Sequence, residues 1–202
     1  MNMVFPVADP VTPLAAAPAI LAAANHLLPH LERGQRVDAV TLRGAMETAF
    51  SASDATGAWD WKLAYEAGEV ATVLFLRKYG KALFRKAGSQ DLRLSTLTRI
   101  ADLLPTQTGG SEESQTFQQF STPIPLGLAV LTAAAVGPDD LVVEPSAGTG
   151  LLAILAEIDG GSMVLNELAE TRANLLARQE RGAPLPSTRG ARAGRLQPPQ
   201  AA

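Results

Sequence analysis

Apolar and small residues recur at helical spacing through the first half of the chain and predict four helices there. The helices are expected at about residues 12–31, 40–50, 59–86 and 92–104. Gly34 ends the first of them, and the turn-forming residues 51–57 separate the second from the third. Because no obvious strand pattern interrupts this stretch, residues 12–104 are predicted to form a helical N-terminal domain.

The pattern changes after a polar linker that contains Gly and Ser, at residues 105–116. Helices are predicted at residues 122–136, 151–158 and 167–178, and short strands at residues 141–143 and 162–165. The three apolar residues of the first strand predict that it is buried. A strand–helix–strand–helix order produces parallel strands. The predicted fold class is therefore α/β, with an incomplete Rossmann-like domain at residues 117–180 after an all-helical region.

Both ends of the chain are predicted to lack regular structure. Residues 1–11 contain prolines and are expected to be loose, whereas residues 181–202 carry arginine and proline without apolar periodicity and are expected to be disordered. Between these ends, 47% hydrophobic and 18% charged residues are typical of a soluble globular protein. The net charge of -3 excludes polyanion binding over the whole surface, so any nucleic-acid surface must be local.

The sequence offers little metal or membrane chemistry. The chain has no cysteine, which excludes disulfides and cysteine-based zinc sites. A two-histidine metal site is conceivable at His26 and His30, four residues apart on a predicted helix, but a surface or packed pair is favoured and no metal is predicted. The apolar residues 14–24 follow Asp9 and no basic residue, which favours a buried helix over a signal peptide. A cytoplasmic location away from the membrane is expected.

The most specific chemistry lies at the end of the first predicted strand. Glu144 marks that end, and Gly148, Thr149 and Gly150 form a tight turn before an apolar helix. Glycine permits a positive φ and close approach of a ligand, and the start of a helix offers free N–H groups. Glu167 follows the second strand, about 20 residues after the turn, where such folds place an acid for ribose hydroxyls. These residues outline a nucleoside pocket.

The residues after the turn bear on the choice of cofactor. The spacing of Gly148, Gly150 and Ala153 leaves a dinucleotide fingerprint open on pattern alone. A P-loop needs a lysine followed by a hydroxyl residue after its second glycine, and Leu151 and Leu152 stand there instead. Phosphate binding of the ATPase kind is therefore not expected.

The run Glu144-Pro-Ser-Ala-Gly-Thr-Gly150 resembles the first signature of class I S-adenosylmethionine-dependent methyltransferases, most closely the adenine-specific DNA methyltransferases. Upstream, Phe120 and the pair Thr122-Pro123 resemble the family segment that contacts the methionine part of the cofactor. The resemblance implies an incomplete methyltransferase domain that binds S-adenosyl-L-methionine, with DNA as substrate. The cofactor residues it implies are Phe120, Thr122, Pro123, Glu144, Pro145, Ala147, Gly148, Gly150, Asn166 and Glu167.

The first half of the chain carries a second, weaker resemblance. Residues 57–67, 105–108 and 111–113 are similar to the amino-terminal region of large bacterial and plasmid-borne proteins that join a methyltransferase-like domain to a strawberry-notch-type helicase. Together with the signature above, the resemblance covers roughly residues 15–180. It implies a fused or associated helicase domain as a partner.

One family motif is missing from the sequence. Adenine methyltransferases hold the target amino group with an Asn-Pro-Pro-aromatic motif, whose ring stacks on the flipped base. Here Asn166 is followed by Glu167, and Asn174 by Leu175. No catalytic residue is therefore assigned. We expect the chain to be a truncated, N-terminal fragment of such an enzyme, which binds the cofactor weakly at most and does not catalyse methyl transfer.

A non-enzymatic alternative stays open at this point. Residues 12–104 would then be a helical interaction or nucleic-acid-docking module, with the basic residues among 77–86 meeting phosphates. A solvated helix face is the favoured interpretation of that cluster, and burial in the core is favoured over base stacking for Trp59 and Trp61. Thr122-Pro123 also suits an ordinary helix start, with Thr122 as N-cap and Pro123 at the first helical position.

Overall fold

The computed structural model of the protein describes residues 13–105 and 121–181, which are mostly helical with one two-stranded parallel sheet. These two ranges contain seven α-helices and a 3₁₀ helix at Asp54–Thr56. The α-helices are α1 (Pro13–Glu32), α2 (Ala39–Phe50), α3 (Trp61–Ala87), α4 (Gln90–Ala101), α5 (Ile124–Ala134), α6 (Ala153–Asp159) and α7 (Glu170–Arg181), and the strands are β1 (Leu141–Glu144) and β2 (Ser162–Leu165).

Several predictions fall on other parts of the chain. The loose N-terminus, nearly all of the linker at 105–116 and the tail after Arg181 lie outside the described residues, as does Phe120. The predicted tail begins one residue too early, because α7 includes Arg181.

Local side-chain chemistry explains where the helices of the first half begin and end. Asp38 and Asp60 cap α2 and α3, each accepting a hydrogen bond from a backbone N–H three residues on, at 2.8 and 2.9 Å. Gly88 ends α3 in the left-handed region at φ 70°. The predicted order of four helices in this half is confirmed. Trp59 is buried and donates from Nε1 to the carbonyl of Ala52 at 2.8 Å, which confirms its place in the core.

The two strands pair in parallel, as predicted, with Val142 opposite Met163 and Glu144 opposite Leu165. The prediction that β1 is buried is wrong, since Leu141 is 66% exposed and Val143 is 62% exposed. Alternate side chains of a strand point to opposite faces. Met163 and Leu165, both buried, lie on the face that the helices cover, whereas nothing among the described residues covers the other face.

Two apolar clusters hold the molecule together, and α3 contributes to both. The first joins α1, α2 and the N-terminal part of α3, and it includes Leu175 of α7. The second joins Val73 and Leu76 of α3 to α4, α5, α6 and the sheet. Gly80 allows α3 to approach α6, because a Cβ there would lie 2.8 Å from Cγ1 of Ile158. The helical half and the α/β half therefore share their interior.

None of the helices in the two described ranges combines the length and the apolar character that crossing a bilayer requires. No group of three or more potential ligand side chains gathers there around a metal-sized site. His26 is exposed and His30 half-buried on α1.

Candidate functional site

The carboxyl ends of β1 and β2 form a tightly joined platform. Beyond the strands, the Asn166 N–H donates to the carbonyl of Glu144, and the Ala147 N–H donates to the carbonyl of Asn166, both at 2.9 Å. The Asn166 side chain adds a bond from Nδ2 to the carbonyl of Pro145 at 3.0 Å. The strand ends that sequence analysis assigned to one site are thus held side by side.

Glu167 ties the second strand end to the glycine turn. Its Oε2 accepts from the Gly148 N–H and its Oε1 from the Ala169 N–H, both at 2.8 Å. The predicted helix start at residue 167 is wrong, since α7 begins at Glu170. A carboxylate offers about four lone-pair sites, so each oxygen keeps room for a further donor such as a ribose hydroxyl.

The glycine turn has the backbone geometry that only glycine adopts readily. Gly148 and Gly150 have φ values of 57° and 91°. At Gly148, apart from its two chain neighbours, no atom of the described residues lies within 4 Å of where a Cβ would stand, so these residues leave the space over Gly148 open. At Gly150 a Cβ would meet Leu176 of α7 at 3.1 Å. Gly148 therefore leaves space for a ligand to approach the backbone, and Gly150 allows the turn to pack closely against α7.

The prediction that a helix starts directly after the turn, at Leu151, is wrong. Residues 151–152 continue the turn, and α6 begins at Ala153 and spans only seven residues. The bond from the Ile154 N–H to the Gly150 carbonyl, at 3.0 Å, belongs to this first turn. Any contribution of a helix dipole to the site is correspondingly smaller than expected.

Several N–H groups of the turn already have partners inside the protein. The N–H groups of Ala147 and Gly148 make the hydrogen bonds described above. In addition, the Ser146 N–H donates to Glu144 Oε1 at 3.1 Å, and the Gly150 N–H donates to the Ala147 carbonyl at 2.8 Å. A dinucleotide pyrophosphate is held largely by such groups. The arrangement therefore favours a ligand recognised by carboxylates over one recognised by main-chain amides.

The upstream segment meets the site at the start of α5. Pro123 occupies the N-cap position and its carbonyl accepts from the N–H groups of Leu126 and Gly127 at 2.9 and 3.0 Å. The expectation of Thr122 as N-cap is therefore wrong by one residue. Ser121, immediately before Thr122, lies close enough to the carboxylate of Glu69 on α3 to work against the rise that burial causes in its pKa. Through Glu69 this segment is connected to the glycine turn.

A buried polar network beneath the turn was not predicted. The Thr149 hydroxyl donates to Glu69 Oε2 at 2.9 Å, and the Thr149 carbonyl accepts from Gln179 Nε2 at 3.1 Å. Nearby, Arg172 Nε donates to Glu66 Oε1 at 2.7 Å. Glu66 Oε2 and Gln179 Oε1 are buried without a hydrogen-bond partner among the described residues. The network joins α3, the turn and α7.

Burial governs the electrostatics of this network. It raises the pKa of both Glu66 and Glu69, and the Arg172 guanidinium opposes the rise at each. The sequence did contain a signal: Glu66 and Glu69 lie one helical turn apart in a stretch of small apolar residues, where a solvated acid is out of place. Their partner Arg172 lies about a hundred positions away in the sequence, and no local pattern points to it.

Part of the basic cluster of α3 is already paired. Arg77 bonds both carboxylate oxygens of Glu157 on α6, with its Nη2 at 3.3 Å from each. Lys78 Nζ lies 2.8 Å from Oε1 of Glu32, which also accepts from the hydroxyl of Tyr79. Lys81, Arg85 and Lys86 are exposed. Arg77 and Lys78 thus join elements of the fold, and the remaining basic residues form a solvated helix face.

Comparison with known proteins identifies no relative. No protein-family model matches the chain, no curated protein matches its sequence, and no solved structure matches its fold.

Proposed function

We propose that this chain binds S-adenosyl-L-methionine at the carboxyl ends of β1 and β2, as the cofactor-binding part of a Rossmann-like domain similar to adenine-specific DNA methyltransferases. The observation that carries the proposal is the 2.8 Å bond between Glu167 Oε2 and the Gly148 N–H. It brings an acid suited to ribose hydroxyls against a glycine turn that is open to a ligand.

The residues present fit this cofactor. Glu167 keeps lone pairs for two ribose hydroxyls, and the open space over Gly148 lets a ligand approach the main chain closely. Glu144, Pro145, Ala147 and Asn166 would hold the two strand ends at their present separation. Thr122 and Pro123 lie at the start of α5, next to the Ser121 that reaches Glu69. When bound, the cofactor supplies a methyl group on a sulfonium, which is an activated leaving group.

Methyl transfer by this chain is not part of the proposal. The sequence lacks the Asn-Pro-Pro-aromatic motif that would hold an exocyclic amino group and stack on a flipped base. What the chain's residues do is bind and orient the cofactor. DNA and a fused or associated helicase domain are the partners that the resemblance implies, with the cytoplasm as the compartment.

Calorimetry with S-adenosylmethionine tests the proposal, with NAD as the competing ligand. We expect heat of binding with the first and none with the second. Glu167→Gln should weaken binding by about tenfold or more, since a hydrogen bond to a charged group contributes roughly 1.5–3 kcal/mol. Glu170→Gln makes the same charge change at an exposed position of α7 and should leave binding unchanged. Binding of NAD in place of S-adenosylmethionine would reject the proposal.

A DNA methylation assay completes the test. With labelled S-adenosylmethionine and mixed-sequence DNA, we expect no transfer above the rate without protein. Robust transfer would contradict the inference drawn from the missing motif, while leaving cofactor binding intact.

A further inference from the structure

Thr149 connects the glycine turn to a helix of the first half. Its hydroxyl donates to Glu69 Oε2 of α3 at 2.9 Å, and its carbonyl accepts from Gln179 of α7 at 3.1 Å. Thr149 is 1% exposed, whereas its partner Glu69 is half-buried. The turn is therefore held from beneath by two helices, while its upper side over Gly148 is open.

Glu69 contacts more than the turn. Ser121 also lies close enough to this carboxylate to work against the rise that burial causes in its pKa, and Ser121 directly precedes the Thr122-Pro123 pair. One carboxylate on α3 therefore joins the two chain segments that the proposed function assigns to the cofactor. These segments are separated by more than twenty residues in the sequence, and α5 lies between them.

The surroundings of Glu69 restrict it to this arrangement. Glu66, one helical turn earlier, pairs with Arg172 at 2.7 Å, and the two side chains are 5% and 8% exposed. The charge of Arg172 acts on Glu69 as well. Removing buried charges from water is costly unless they stay paired and hydrogen-bonded. A displacement of α3 would break these contacts together, which favours a single position for Glu69.

We infer that Glu69 is a positioning residue for the cofactor site, fixing the start of α5 relative to the glycine turn. The affinity for S-adenosylmethionine then depends on a helix of the first half of the chain. The identity of the ligand in this inference rests on the proposed function. The claim that Glu69 holds the glycine turn in place concerns the ligand-free protein and can be tested without the cofactor. The helical region becomes a component of the binding site and not a separate docking module.

Paired substitutions on the full chain test the inference. Thr149→Val removes the hydroxyl at nearly constant volume and should weaken S-adenosylmethionine binding by about tenfold. Thr149→Ser keeps the hydroxyl and should bind like the native protein. Glu69→Leu should reproduce the loss, while Glu69→Gln, which can still accept from a hydroxyl, should restore most of the affinity. Thr72→Val is the matched control, because the buried Thr72 hydroxyl bonds only the Gly68 carbonyl of α3 itself, at 3.1 Å.

A second measurement separates this inference from the proposed function. Amide hydrogen exchange in the ligand-free protein should accelerate at Gly148 and Gly150 in Thr149→Val, and stay unchanged at Leu42 in α2. If the native protein binds no S-adenosylmethionine, the proposed function fails, and the exchange data still decide whether Glu69 holds the turn. Native affinity together with unchanged exchange at both glycines in Thr149→Val would overturn the inference.

Discussion

The helical half at residues 13–105 and the α/β half at residues 121–181 bury their apolar side chains in different ways. In the first, α1, α2 and α3 enclose most of a core in which Ile20 and Leu42 are fully buried, and α7 adds Leu175 to it. In the second, the sheet is covered on one face only, and its core continues into α3 and α4 through side chains such as Leu76.

This difference shows that the second half depends on the first for its interior. Parallel sheets are normally covered on both faces, whereas residues 13–105 and 121–181 cover a single face of this sheet. Five of the seven residues of α6 are buried, because that helix packs against both the sheet and α3. The glycine turn lies at the start of α6, so its geometry depends on packing that the first half provides.

The largest loss in the free energy of unfolding is expected from Leu76→Ala, at the junction of the two halves. Deleting a fully buried leucine side chain costs about 2–5 kcal/mol. Denaturant unfolding should show this loss, and hydrogen exchange should show reduced protection of the Ala147 and Asn166 amides, which bond across the strand ends. Native protection at those two amides would mean that the α/β half does not rely on α3.

A smaller loss is expected from Gly80→Ala, which adds a methyl group where α3 meets α6. Overpacking of this kind costs about 1–3 kcal/mol. Gly44→Ala in α2 is the matched control, because a Cβ there has no neighbour within 4 Å. It should stabilise the helix by roughly 0.5–1 kcal/mol. If the contact is the cause, Gly80→Ala should lose much less stability in an Ile158→Ala background, which lacks Cγ1, and an equal loss in both backgrounds would refute it.

Glu66, which is buried, and Glu69, which is half-buried, give the junction a pH dependence. Glu69 faces Ser121, Thr149, Glu66 and Arg172, and burial raises its pKa above the ordinary value of 4.5. The folded state then holds protons that the unfolded chain has already released, so the free energy of unfolding falls as pH rises from 4.5 toward the raised pKa. Denaturant unfolding across a pH series should show this slope, and Glu69→Gln should flatten it. A slope identical in both proteins would exclude Glu69 as its source.

The smallest change in stability is expected from a substitution on the outer face of the sheet. Val143→Thr changes a side chain that is 62% exposed and should alter stability by no more than about 0.5 kcal/mol. Leu165→Ala, on the covered face, should cost about as much as Leu76→Ala. Chemical denaturation compares the two, and equal costs would indicate that the outer face is covered in solution.

The order and type of the elements followed from periodicity, and β2 lies at the predicted residues 162–165 because an apolar run between turn signals has few alternatives. The meeting of Gly148 and Glu167 was predictable too, since adjacent parallel strands end at the same edge. The exposure of Val143 could not be predicted, because an apolar run in the sequence does not reveal which neighbours cover it. The pairing of Glu66 with Arg172 depends on tertiary packing across the whole chain.

All of the strongly absorbing rings lie on one side of the molecule. The chain has two tryptophans and two tyrosines, and Trp59, Trp61, Tyr65 and Tyr79 all belong to the helical half. Intrinsic fluorescence and near-ultraviolet dichroism will therefore record the unfolding of the helical half directly, and the strand ends only through their packing against α3. Leu168, 76% exposed beside Glu167, is a place where an introduced indole would make the other side visible.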